Sequence, residues 1–194
     1  HGLALEVGAG STLGIDRKPF ARTQLRWQAF HPLGGRDESF TPVPGQPVVA
    51  GRAARAGRLA LRVEGGAVIA GDDTPVPETQ LFLTGGDNTV RGYGLRDIGI
   101  AQADGSVRAG RYKAVVSLEW QRPVWGNGTT RSPFEHVLFV DGGSVVNRVR
   151  ELDFQWGVGT GLRYNSPVGP LQLDLAYGVD AKRFRVHLNV GFSF

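Results

Sequence analysis

Polar and apolar residues alternate along most of the chain. Successive residues of a strand point to opposite faces, so a period of two marks a strand with one apolar side. Near the C-terminal end Phe184, Val186, Leu188, Val190, Phe192 and Phe194 share one parity, while Arg185, His187, Asn189, Gly191 and Ser193 share the other. The same sorting recurs upstream. Leu171, Leu173, Leu175 and Tyr177 oppose Gln172, Asp174 and Ala176. Phe154, Trp156, Val158, Leu162 and Tyr164 oppose Asp153, Gln155, Gly157, Gly159, Gly161 and Arg163. Ala114, Val116, Leu118 and Trp120 oppose Lys113, Ser117, Glu119 and Gln121, and Leu138 and Val140 oppose Phe139, Asp141 and Gly143. Shorter runs at Leu3–Val7, Leu25–Gln28 and Leu59–Glu64 behave alike. Helical periodicity fits none of these segments as well. The pattern predicts about eight strands, at roughly 2–12, 21–32, 57–70, 111–123, 135–146, 152–165, 170–179 and 183–194.

A soluble β-sandwich would alternate too. Three features favour a transmembrane barrel. The apolar faces carry almost no charge, as hydrocarbon demands: a lipid-facing Arg or Lys at mid-bilayer costs about 2–4 kcal/mol. Aromatic residues (Trp27, Trp120, Trp125, Tyr164, Tyr177, Phe194) sit near strand ends, as interfacial girdles do. Connections alternate between tight turns, at 166–169 and 180–182, and a long excursion at about 71–110. Residues 33–56, rich in Pro and Gly, read as a loop, with a bulged strand or an insertion as the other readings.

Composition narrows this further. No run of about 18 apolar residues exists, so no transmembrane helix is encoded. The 194 residues include 29 Gly and no Cys, which excludes disulfides and thiolate metal sites. The net charge of +4 is scattered, with no basic run of the kind that binds nucleic acid.

The long excursion contains Gly85-Gly86-Asp87-Asn88-Thr89-Val90-Arg91-Gly92-Tyr93. Gly and Asn tolerate positive φ, so its first half is a turn. Arg91 follows among small and apolar neighbours. Its five donors suit a partly buried site with acidic partners, and Glu119 and Asp141, on the polar parity of the next two strands, are candidates.

This stretch resembles the loop signature of the BamA/TamA-type outer-membrane assembly barrels. Four further pieces resemble the same family in the same order: Ser117-Leu118-Glu119, Phe139-Val140-Asp141-Gly142-Gly143, the hairpin from Gly161 to Leu171, and the terminal Phe194. Together they span residues 80–194. Asn88 with Thr89, Tyr93 and the Ser166–Pro170 segment lean toward the TamA branch.

The resemblance implies an antiparallel up-and-down transmembrane β-barrel in the bacterial outer membrane, of which residues 1–194 form the C-terminal half of about sixteen strands. In such barrels the Val-Arg-Gly-Tyr loop folds back into the lumen, so Val90, Arg91, Gly92 and Tyr93 would form a latch in which Arg91 pairs with Glu119 and Asp141. The last strand, carrying Val186, Leu188, Val190, Phe192 and Phe194, would be both insertion signal and lateral seam. The implied function is non-enzymatic: helping insert β-barrel clients such as autotransporters, with outer-membrane lipids and a periplasm-spanning TamB-like protein as partners and with no cofactor. A two-partner secretion pore and the barrel of a patatin-like phospholipase share the architecture. The size of the excursion also argues for more strands upstream of His1, because an eight-strand barrel is filled by its own side chains.

Other motifs carry less. Gly157-x-Gly159-x-Gly161 lacks the strand-to-helix context of a phosphate loop and reads as small residues on a crowded face. His1, His31, His136 and His187 show no metal-ligand spacing, and His187 reads as one lumen residue among several. Asn127-Gly128-Thr129 reads as a turn rather than a glycosylation acceptor. Glu119 and Asp141 make a poor acid–base pair, since no nucleophile accompanies them.

Overall fold

A computed structural model of the chain describes residues 2–12, 17–33, 57–71, 73–126, 132–166 and 169–191. Eight long strands form one antiparallel sheet: β1 (Gly2–Ser11), β2 (Pro19–Leu33), β3 (Gly57–Ala70), β6 (Tyr112–Pro123), β7 (Phe134–Val146), β8 (Gln155–Ser166), β9 (Gly169–Gly178) and β10 (Arg183–Val190). Two short strands, β4 (Ile100–Ala101) and β5 (Val107–Arg108), form a small hairpin inside the long connection from β3 to β6. Along the large sheet each strand pairs with the next, in the order β1-β2-β3-β6-β7-β8-β9-β10. This is the up-and-down arrangement that the alternation predicts.

The register explains why alternation was so strict. Leu61, Leu118, Val140, Val158, Tyr177 and Phe184 stand side by side across six strands and face outward. On the other face two rows run in parallel. One is Ser117, Asp141, Gly157 and Gly178; the next is Glu119, Phe139, Gly159 and Ala176. One sheet thus separates an apolar surface from a polar one by parity alone.

Aromatic clusters close both ends of the apolar surface. Trp125, Phe134 and Tyr164 pack at one end, with centroids 5.6 and 4.8 Å apart. Phe154 with Trp156, and Tyr177 with Phe184, pack at the other. On β8, Trp156 and Tyr164 lie about 26 Å apart along the strand, or about 20 Å along a membrane normal at a tilt of about 40°, before ring lengths are added. That is close to the apolar band of an outer-membrane barrel.

The 71–111 connection folds onto the polar face. Bridges from Phe82 to Gly110 and from Thr84 to Ile98 start it, and its tip lies between the strands. Near that tip the Thr89 carbonyl accepts a hydrogen bond from Arg62 of β3 at 3.1 Å, while Asp87 meets His187 of β10. In a flat sheet those strands would stand about 24 Å apart, so the sheet curls round the loop.

The inner face holds apolar residues that parity did not single out. Val115 packs with Val90, Tyr93 and Ile98, and Val137 packs with Phe139 and Ala176. A loop folded inward brings its own apolar side chains, and these need dry partners on the wall. The strand expected from 152 starts at Gln155 instead, because Val149–Glu151 forms a 3-10 turn and the Asp153 amide donates to Ser144 Oγ. Residues 34–56, the Asn127–Thr129 turn, Pro167–Val168, and Phe192 and Phe194 lie outside the described residues.

Leu173 sits mid-strand on the outer face, between Leu162 and Leu188. Leu173→Arg is expected to destabilise the full-length protein in lipid vesicles by about 2–4 kcal/mol. Equilibrium urea unfolding measures this; an unchanged midpoint would mean that this face does not meet lipid.

Candidate functional site

The site is built on the loop tip. Gly85 and Gly86, at φ of 104° and 103°, reverse the chain, and Thr89 Oγ1 accepts a hydrogen bond from the Gly85 amide at 2.9 Å. The turn presents Val90, Arg91, Gly92 and Tyr93 to the wall, all buried.

The wall receives them on glycines. A Cβ at Gly143 would stand 2.5 Å from Val90 Cγ2, and one at Gly157 would overlap the Arg91 carbonyl oxygen. Gly92, at φ +94°, lies against Gly178, where a Cβ on Gly92 would come within 2.6 Å of the Gly178 nitrogen. No other residue type allows both backbones to approach so closely. Gly157, the first glycine of the spaced triplet, is therefore a seat for the loop.

Arg91 is the centre of the site. Its Nε donates to Asp141 Oδ2 at 2.7 Å and its Nη2 to Asp141 Oδ1 at 2.9 Å, a two-pronged pairing that a planar guanidinium alone can make. The Arg91 amide also donates to Asp141 Oδ2, at 3.1 Å. Nη1 reaches Glu119 Oε1 at 2.7 Å and Asp174 Oδ2 at 2.9 Å. Beneath it, the Phe139 ring centroid lies 3.5 Å from the guanidinium carbon, a cation–π contact.

The structure thus brings Arg91 together with Glu119 of β6 and Asp141 of β7. It adds Asp174 of β9, whose inward parity was visible but whose nearness to residue 91 was not. A second cation, Arg163, bonds Glu119 Oε2 through Nη2. Gln121 Nε2 donates to Glu119 Oε2 at 2.6 Å, and Ser117 Oγ donates to Asp141 Oδ1 at 2.6 Å. Two guanidiniums therefore meet three carboxylates. Burial disfavours the charge on Arg91, but the attraction of Asp141, Glu119 and Asp174 outweighs it and holds the guanidinium protonated beyond its ordinary range.

The neighbours of Arg91 fasten the remaining strands. The Gly92 amide donates to His187 Nε2 of β10 at 3.0 Å. Tyr93 Oη donates to Asp180 Oδ2 at 2.9 Å and lies 3.2 Å from the Trp156 carbonyl of β8. Burial and the Asp180 bond push the Tyr93 phenol up to about 12, so it stays a donor at any physiological pH. Four consecutive residues thus touch β6, β7, β8, β9 and β10. Of the residues expected at the seam, Val186, Leu188 and Val190 lie on the outward face of β10, exposed.

Arg91→Met is expected to destabilise loop seating by about 3–5 kcal/mol, since it leaves buried charge on Asp141, Glu119 and Asp174 without the guanidinium that joins them. Adding Asp141→Asn should recover part of that loss by removing one surplus charge. Urea unfolding of the single and double variants tests this; a double variant less stable than Arg91→Met would contradict the charge balance.

The chain has relatives among known proteins. The Omp85 superfamily domain matches residues 1–194. The outer membrane protein assembly factor BamA of Nitratidesulfovibrio vulgaris is 29% identical over 185 residues, which are 92% of this chain and 20% of that protein. Outer envelope protein 80 of the Arabidopsis thaliana chloroplast is 32% identical over 123 residues, 58% of this chain and 15% of that protein. The crystal structure of Haemophilus ducreyi BamA lacking POTRA domains 1–3 superposes with a TM-score of 0.64 at 18% identity, covering 97% of this chain and 37% of that one. The chain therefore spans less than a third of the length of these curated relatives and shares the barrel-wall fold of the solved one. It belongs to the Omp85 superfamily.

Proposed function

We propose that the chain is the seam-bearing part of a non-enzymatic outer-membrane assembly factor, and that β10 offers its edge to incoming β-barrel clients. The observation that carries this reading is the state of β10. Among the described residues it pairs with β9 alone, while its outward side chains are apolar and its inward ones meet the loop. In hydrocarbon an unpaired edge leaves backbone groups unsatisfied, and a new strand can satisfy them. A client strand adding to β10 would gain main-chain hydrogen bonds while its outer side chains meet lipid. Arg91 holds the loop against the wall beside that edge.

On this reading the eight-stranded sheet is part of a larger wall of about sixteen strands. An eight-strand barrel has no room for the folded-in loop beside its own side chains. The Omp85 membership and the outer-membrane names of the relatives support the outer membrane as its location.

The finer reading is the TamA branch, with autotransporter clients and a periplasm-spanning TamB-like partner. Its support lies in the likeness of Asn88 with Thr89, Tyr93 and the Ser166–Pro170 segment to that branch, and the first three have bonded roles here. Asn88 Oδ1 accepts from Asn189, Thr89 Oγ1 accepts from Gly85, and the Tyr93 hydroxyl makes bonds that a phenylalanine lacks.

Arg91→Ala in the full-length protein is expected to raise protease accessibility of the loop and to lower client insertion, while the barrel itself still enters the membrane. If loop accessibility and client insertion both stayed at wild-type levels, the latch would have no part in assembly.

A further inference from the structure

We infer that His187 is a positioning residue that ties the edge strand to the Val90–Tyr93 loop, and that protonation of its ring releases the tie. This deepens the reading of β10 as the working edge. Three inward side chains of β10, at alternate positions, meet the loop. Arg185 Nη2 donates to Asp97 Oδ2 at 3.1 Å, and Asn189 Nδ2 donates to Asn88 Oδ1 at 2.9 Å. These two pairs are exposed, and exposed contacts of this kind contribute little. His187 between them is buried, and it alone of the three touches the backbone of the Val90–Tyr93 motif.

The ring works at both ends. Nε2 accepts the Gly92 N–H at 3.0 Å, and Nδ1 meets the Asp87 carboxylate. A ring nitrogen that accepts carries no hydrogen, so the geometry assigns the neutral tautomer with its proton on Nδ1, donated to Asp87. An imidazolium has hydrogens on both nitrogens. It would keep the Asp87 contact but aim Nε2–H at the Gly92 N–H. Gly92 cannot turn to another acceptor, because its backbone is wedged on Gly178. Adding one proton thus converts an attractive contact with the motif backbone into a repulsive one.

The charged groups around the ring come from three elements. Asp87 faces it from the loop. Asp174 pairs with it in register from β9 and is itself bonded to Arg91 of the loop. Arg185, two residues away on β10, is engaged by Asp97. Acidification supplies that proton, so lowering the pH probes the tie.

Hydrogen exchange of the segment covering residues 85–98, in the full-length protein in lipid vesicles without client, reads the tie directly. His187→Gln can accept from Gly92 and donate to Asp87 at once, and it does not titrate. At about pH 7.5 we expect His187→Gln to protect the segment as wild type does. His187→Leu should exchange about tenfold faster, the effect of losing one buried hydrogen bond. At about pH 5.5 the wild type should exchange faster than His187→Gln measured at the same pH. Wild-type protection in His187→Leu at the higher pH, or equal rates for wild type and His187→Gln at the lower one, would overturn the proposal. If His187→Leu does not fold, the comparison at the lower pH still decides. Client insertion is a separate measurement, so a failed tie and a failed seam are told apart.

Discussion

A guanidinium held away from water must find its countercharge within reach of its own five donors, and most of this site follows from that demand. Arg91 stands at 4% exposure. Truncating one partner of such a buried cluster costs far more than an exposed ion pair contributes, because the remaining charges are stranded. The cluster therefore makes loop seating close to all-or-none. Carboxylates from β6, β7 and β9 must arrive together, and they do so only when the three strands hold their native register. The wall glycines serve the same end, since a side chain at Gly157 would lift the Arg91 backbone away from Asp141.

The outer surface and the inner site were legible in the sequence to different degrees. Outward parity could be read strand by strand because lipid penalises each error separately, and Phe184 to Val190 needed no partner to be interpreted. Glu119 and Asp141 could be placed because they sit on the polar parity next to the loop and inside recognisable motifs. Asp174 and His187 share that parity, yet their roles depend on how far the loop reaches across β9 and β10, and no local pattern encodes such a reach. Val115 and Val137 broke the rule that inward residues are polar. Their partners Val90, Ile98 and Phe139 show why: the lumen face is partly a protein core. A signal was present, since the run Val115-Val116 interrupts an otherwise regular alternation.

The weak sequence likeness across barrels of this shape has the same origin. A lipid-facing position asks only for an apolar side chain, so Leu, Val and Ile can exchange there at little cost. An inward position far from the loop asks only for a side chain that fits its neighbours on the wall, polar in most places and apolar around Val137 and Phe139. Specific identity is demanded where backbone meets backbone, as at Gly92 and Gly178, or where a fork meets a carboxylate, as at Arg91 and Asp141.

The loop is fastened unevenly around the wall. Among the described residues its tip is bonded to each of β6 through β10, whereas β2 and β3 meet the loop chiefly through Arg22 and Gly66 against the Phe82 ring and Arg62 on the Thr89 carbonyl. The sheet is thus a panel braced more densely along one half than along the other. Bracing of this kind makes the wall stiffer across β6–β10 than across β1–β3. A strand that leans on β10 pushes against the stiff side of the structure, and the compliance that makes room for it lies elsewhere.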